Sequence, residues 1–210
     1  MKILIACEES QAVCKEFRKL GHEAYSCDIL PCSGGHPEWH LKGDVLEQLD
    51  KGWDLMIAHP PCTYLSNAGA CRLYPKKGVL NQERYEKGLK AKEFFMKLFN
   101  SNIPRICVEN PIPSRVFNLP NKSQVIQPFE FGHPFSKKTY LWIKGLPKLN
   151  PTNVIRENVI SWVSGGSKDN KGNPRKNKGT KHRSSIMRSK TFKGISKAMA
   201  EQWGSSQSKE

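Results

Sequence analysis

The sequence predicts an α/β domain built on a mostly parallel sheet with an antiparallel C-terminal extension. Three observations carry that expectation. Short apolar runs alternate with amphipathic segments between Met1 and Asn110, the pattern of strand–helix–strand units. Two of those runs stop at proline, one at Pro60-Pro61 and one at Pro111, where φ is fixed and the ladder donor is missing. Two later runs, 124–129 and 139–143, alternate polar with apolar side chains and read as antiparallel additions.

Ile3 to Ala6 is the first buried strand. Glu8, Glu9, Ser10 and Gln11 follow it, then Val13, Phe17 and Leu20 at helical spacing, with Gly21 as the stop. Ala24 to Cys27 makes a second strand with Asp28 at its carboxyl end. Such a unit is the first half of a nucleotide-binding α/β fold, in which an acid at that place accepts hydrogen bonds from a ribose. A loop acid or helix cap is the other reading of Asp28. Residues 31–43 read as a loop rich in proline and glycine. It carries His36 and His40, two histidines without helical periodicity or a clear third ligand, so no metal is expected. Asp44 precedes a short helix.

The central stretch runs from Trp53 to Asn67. Leu55 to Ala58 reads as a buried strand, and Pro60-Pro61 turns the chain so that Cys62 stands just beyond its carboxyl end. Open α/β sheets bind ligands at that edge. A thiol there is a nucleophile or an inert packed cysteine. A polar loop at 66–70 leads to a long helix, Gln82 to Asn100, with Leu89, Phe94, Phe95, Leu98 and Phe99 on its packing side. The strand from Arg105 to Pro111 brings Glu109 and Asn110 to the same edge as Cys62 if the two strands are parallel. Residues 164–183 hold glycine, asparagine and lysine with almost no apolar side chain and read as a solvated basic arm. A final helix, Lys190 to Trp203, aligns Phe192, Ile195, Met199 and Trp203 on one face.

Composition narrows the partners. The 210 residues carry a net charge of +15, which favours an anionic partner such as nucleic acid. Seven cysteines, an odd number with no C-x-x-C pair, argue against a zinc ribbon and a disulfide framework. No apolar run approaches the roughly 18 residues of a membrane span, and the opening run is short for a signal peptide. These features point to a reducing cytoplasm, with no membrane partner.

Pro60-Pro61-Cys62, Val108-Glu109-Asn110 and the acid-ended second strand together resemble the DNA cytosine-5 methyltransferase family. The resemblance is closer to its short phage-encoded members, through Ala6-Cys7-Glu8 with Ser10, the stretch Trp53 to Leu65, Leu141 to Pro147, and Ala198 to Gly204. It implies a Rossmann-like class I methyltransferase sheet, a cofactor-binding and catalytic core at 1–145, a reduced target-recognition or basic insert at 146–188, a returning helix at 189–204 and a disordered tail at 205–210. A phage-encoded chain would work in the host cytoplasm.

The resemblance also implies roles. Cys62 adds to C6 of cytosine, Glu109 holds N3 and N4, and Asn110 orients the loop. Cys7, Glu8, Glu9, Ser10, Asp28, Ile29, Asp44 and Pro60 surround S-adenosylmethionine. Lys137 and Lys138 stand where the family carries two arginines; with Arg175, Lys176, Lys178, Lys181 and Arg183 they contact DNA. The substrate is double-stranded DNA with the target base flipped out, since pairing hides the reacting face.

Two departures keep other readings open. The turn after the first strand lacks the family's glycines and carries two carboxylates, and only 146–188 is available for target recognition. A free deoxycytidine nucleotide as substrate, or another one-carbon donor, accommodates both. So does a catalytically silent DNA-binding protein of the same fold. The insert predicts loose or very short sequence specificity.

Overall fold

The computed structural model describes residues 1–162 and 190–205 of the chain, apart from the side chains of residues 70 and 71. Seven strands form one sheet: β1 (Lys2–Ala6), β2 (Glu23–Asp28), β3 (His40–Lys42), β4 (Leu55–Ala58), β5 (Arg105–Pro111), β6 (Gln124–Ile126) and β8 (Thr139–Lys144). A separate ribbon pairs β7 (Phe135–Ser136) with β9 (Ile160–Ser161). The large sheet runs β3-β2-β1-β4-β5-β8-β6. Strands β3 to β5 of that order pair in parallel, and β8 is antiparallel to both of its neighbours, β5 and β6. The expected α/β sheet is therefore present. Its antiparallel element is β8 alone, because β6, antiparallel to a reversed strand, points the same way as β5.

Both faces of the sheet are covered. Ile3 and Ile5 on β1, Leu55 and Ile57 on β4, and Cys107 on β5 pack under α1 (Ala12–Lys19) and the C-terminal helix, Lys193–Gly204. The alternate residues Leu4, Ala6, Met56, Ala58, Ile106 and Val108 pack under the long helix Gln82–Phe99 through Phe95 and Leu98. Every strand residue from Leu55 to Ala58 is buried, as a parallel strand between two helical layers must be.

Four sequence expectations change. His40–Lys42 is a strand, not loop: the edge of the sheet recruits it beside β2. The run 124–129 is a strand only to Ile126; Pro128 then opens a 3-10 turn. Leu89 is 42% exposed, and Gly88 takes the packed position against the Phe117 ring. The last helix starts at Lys193, with Phe192 as its N-cap. The basic stretch 164–183, and with it Arg175, Lys176, Lys178, Lys181 and Arg183, lies outside the described residues.

Candidate active site at the carboxyl edge

Parallel register lines the chemistry up. Cys27, Ala6, Ala58 and Val108 are mutual partners across β2, β1, β4 and β5. The next residues along those strands are Asp28, Cys7, His59 and Glu109, so these four form a row along the carboxyl edge. Neighbouring strands lie about 4.8 Å apart, which brings side chains of adjacent members within reach. The strand order reverses between β1 and β4, and at such a switch point open α/β sheets leave a crevice for ligands.

The β1 side of the row is a rigid acidic turn. Cys7 and Gln11 adopt left-handed φ of 58° and 56°, a conformation that glycine takes at no steric cost. Surrounding hydrogen bonds hold them there. Gln11, fully buried, donates from Nε2 to the His36 carbonyl (2.7 Å) and accepts at Oε1 from the His36 N–H (3.1 Å). This clamps the 31–39 loop onto the turn. Glu8 is buried, and its two carboxylate oxygens accept from the N–H groups of Val13 (2.8 Å) and Cys14 (3.2 Å). It therefore caps α1, whose own N-cap residue makes no side-chain cap. Burial pushes the Glu8 carboxyl above its ordinary value, against the pull of His59 and those two amides. Glu9 stays nearer the surface, where the Ser33 hydroxyl donates to it at 3.3 Å.

Asp28 and Asp44 converge on this turn. Each commits Oδ1 to a local amide, Leu30 N–H and Leu46 N–H, both at 2.9 Å. Burial first, then Asp28 and Asp44, push the Cys27 thiol up to about 11, and Cys7 is raised by burial, Asp28, Cys27 and Asp44. Two carboxylates thus lie close to the Cys7 turn. Ile29 is 73% exposed, and Pro60 is buried at the end of β4. His36 and His40 hold the adjacent loop: His36 stacks on Trp39, while the ring nitrogens of His40 reach Ser26 Oγ (2.9 Å) and the Leu30 carbonyl (2.9 Å).

The β4–β5 side is built differently. Cys62, half-buried and in no disulfide, lies in the turn after Pro61. The following loop is tied to the chain after β5 by Asn67 N–H to the Ile112 carbonyl (2.8 Å) and Ser114 N–H to the Leu65 carbonyl (2.7 Å). Arg84, from the long helix, donates to the Thr63 carbonyl (2.7 Å) and lies 5.0 Å over the Tyr64 ring. The cysteine turn and the Glu109–Asn110 strand end are therefore one connected unit. His59 Nδ1 lies 3.4 Å from Glu109 Oε2, with the side chains 10% and 18% exposed. Burial alone would raise Glu109, but the His59 hydrogen bond, the Lys137 ammonium and the His59 charge hold it below its ordinary value. Lys138 is exposed.

Three polar atoms here are buried without a hydrogen-bond partner among the described residues: His59 Nε2 and both amide atoms of Asn110. Buried polar groups are seldom left so, and each orphan has a cost. Sequence reading brought Cys62, Glu109, Asn110 and Asp28 to this edge, and all four stand on it; Asp44, read as preceding a short helix, joins them because β3 pairs beside β2. It missed His59, Gln11 and Arg84. The signal for His59 was its place as the last residue before a proline-broken strand end, one step from the thiol turn.

No family model and no curated protein matches the chain. Among solved structures it is similar to a DNA modification methyltransferase encoded within an E. coli prophage, at 12% identity and a TM-score of 0.41, over 77% of this chain and 53% of that one. It is also similar to the Entamoeba histolytica methyltransferase EhMeth, at 13% identity and a TM-score of 0.44, over 73% and 57%. The chain spans little more than half the length of either. Likeness of this degree says nothing about reaction, which has to be read from the site. Among the described residues no helix is long and apolar enough to cross a membrane, and no cluster of three or more ligating side chains could hold a metal ion.

Proposed function

We propose that the protein transfers a methyl group from S-adenosylmethionine to C5 of cytosine in DNA, through a covalent Cys62 adduct at C6. One observation carries this reading. A cysteine turn and a half-buried glutamate lie at adjacent parallel strand ends, near the carboxylates of Asp28 and Asp44 at the sheet's switch point.

The crevice suits the cofactor by charge. S-adenosylmethionine carries an ammonium and a sulfonium and no phosphate, so the carboxylates of Asp28 and Asp44 fit it where a phosphate cradle would not. Asp28 would take the ribose and Asp44 the adenine side, with the Cys7–Ser10 turn beneath the methionine part. In that turn Glu8 acts through the helix it caps. When bound, the cofactor supplies the methyl group.

The chain's own residues do the rest. Cytosine C5 is a weak nucleophile until something adds to C6, and a thiolate adds well near neutral pH. Cys62 makes that bond. Glu109 holds N3 and N4 and stabilises the ring as charge develops there. Asn110, whose amide has no partner among the described residues, would orient the loop around the flipped base. The Lys137 ammonium helps to hold the Glu109 carboxyl below its ordinary value. Lys138 and the basic stretch beyond the described residues contact phosphates, a sequence-independent contribution that salt weakens.

The test is calorimetric titration with S-adenosylmethionine and S-adenosylhomocysteine, followed by methyl-transfer and adduct assays on duplex DNA bearing 5-fluorocytosine. Micromolar binding weakened by Asp28→Ala, with a Cys62-dependent adduct, supports the reading. No heat with either compound sinks it. Turnover on deoxycytidine monophosphate but not duplex DNA would replace the substrate. Salt-dependent DNA binding with no cofactor uptake would make the chain a binding protein.

A further inference from the structure

His59 has no part in the chemistry proposed above, yet its side chain is only 10% exposed. His59 sits at the end of β4, three residues before Cys62 and one strand from Glu109. Nothing about forming the strand calls for an imidazole there; its backbone N–H already bonds the Ala6 carbonyl at 2.9 Å. A small apolar side chain would fill a strand end without leaving a buried nitrogen unpartnered, as Nε2 is. The ring's other nitrogen points at Glu109 Oε2 from 3.4 Å.

The groups around the ring come from four directions. Glu109 faces it from β5. Glu8, on the turn after β1, feels its charge. Lys137, on the segment between β7 and β8, acts on the same Glu109 carboxylate. Cys62 follows it on its own strand-end turn.

We propose that His59 is a positioning residue for cytosine activation, its Nδ1 holding the proton that Glu109 passes to N3 as Cys62 adds to C6. This rests on the cytosine reading of the site. As the Cys62 sulfur bonds to C6, the C5=C6 pair moves to C4=C5 and the C4=N3 pair moves onto N3. Glu109, a carboxylate before the step, takes the proton at Oε2 from His59 Nδ1–H, which leaves a neutral imidazole, and passes that same proton on to N3. Once C5 carries the methyl group, loss of the C5 proton to solvent re-forms C5=C6 as the sulfur leaves C6, and the same proton returns from N3 through Glu109 to His59. Charge at Glu109 is the same before and after. Glu109 can thus be a carboxylate in the free protein, as its environment holds it, and still act as an acid when the base arrives.

The experiment uses the full chain and two variants. His59→Asn keeps an N–H near the Nδ1 position but cannot carry the proton; His59→Gln is the second variant should the first fold poorly. Single-turnover methyl transfer on cytosine DNA should fall about 10²-fold in His59→Asn, with KM little changed. Its pH–rate profile should lose the titrating limb that the unaltered protein shows. Separately, the carboxyl carbon of Glu109, followed by carbon-13 NMR without substrate, should titrate at higher pH in both variants. Rates within threefold and an unchanged pH profile would overturn the proposal. So would a Glu109 titration that does not move. If the unaltered protein modifies no cytosine substrate, the cytosine reading fails by itself, and the carboxyl titration still decides whether His59 and Glu109 are coupled.

Discussion

The two halves of the carboxyl edge are built on opposite plans. On the β1–β2–β3 side the carboxylates and the glutamine make bonds within the chain. Glu8 caps a helix, Gln11 clamps a loop, and Asp28 and Asp44 each close a turn. On the β4–β5 side three buried polar atoms have no partner among the described residues. The first half is held in shape by bonds within the chain. The second leaves three buried atoms whose hydrogen bonds the described residues do not supply. A binding pocket for a cationic cofactor gains from the first plan. A site that must grip a reacting ring gains from the second, because the missing bonds can form where charge develops.

The sharpest way to break that contrast is at the thiol. Cys62→Ala should reduce turnover by roughly 10⁴-fold or more while leaving cofactor binding within about twofold; methyl-transfer kinetics beside calorimetry would show it. A substitution that lowered both equally would mean that the two halves are not separable.

On the receptor side, Gln11→Ala removes both bonds to the His36 backbone and leaves an alanine in left-handed backbone. Urea denaturation should register a loss of about 1–3 kcal/mol, with weaker cofactor binding as the 31–39 loop loosens.

Glu8 and Glu109 sharpen the comparison through pH, because their shifts have opposite signs. Glu8 is raised, chiefly by burial, so its contribution is fully present below its ordinary value and is lost as pH climbs through the raised one. Glu109 is lowered, the His59 bond, Lys137 and the His59 charge outweighing burial, so its contribution is present above its ordinary value and is lost as pH falls through the lowered one. Melting temperatures of Glu8→Gln and Glu109→Gln between about pH 3 and pH 8 test this. The advantage of the unaltered protein over Glu8→Gln should shrink toward high pH. Its advantage over Glu109→Gln should shrink toward low pH. The same trend in both variants would contradict the assignment.

The smallest effect is expected at Arg84, whose guanidinium holds the Thr63 carbonyl and covers Tyr64. Arg84→Ala should cost about 1 kcal/mol or less in stability and slow turnover modestly, by loosening the cysteine turn.

How much of this was legible in the sequence follows from what each feature depends on. Strands β1, β4 and β5 read clearly, because a parallel strand covered on both faces must be a short, wholly apolar run. The thiol turn read clearly because two prolines end a strand wherever it is placed. Strand β3 did not: His40-Leu41-Lys42 has no apolar pattern, and only the exposed edge of β2 makes it a strand. Leu89 fitted the helical spacing, yet the ring of Phe117, 28 positions away in the chain, decides that Gly88 faces inward instead.

By itself the sequence determined the α/β class, the alternation of β1, β2, β4 and β5 with helices, and the proline-marked ends of β4 and β5. Those properties depend on local hydrophobic pattern and on the backbone limits of proline. Only the tertiary structure decided which strand ends stand side by side. The parallel register of β1, β4 and β5 puts Cys7, His59 and Glu109 in one row, and burial turns Glu8 from a surface acid into a helix cap. Such facts arise between segments far apart in the chain, where electrostatics and packing are set by neighbours that no local pattern names.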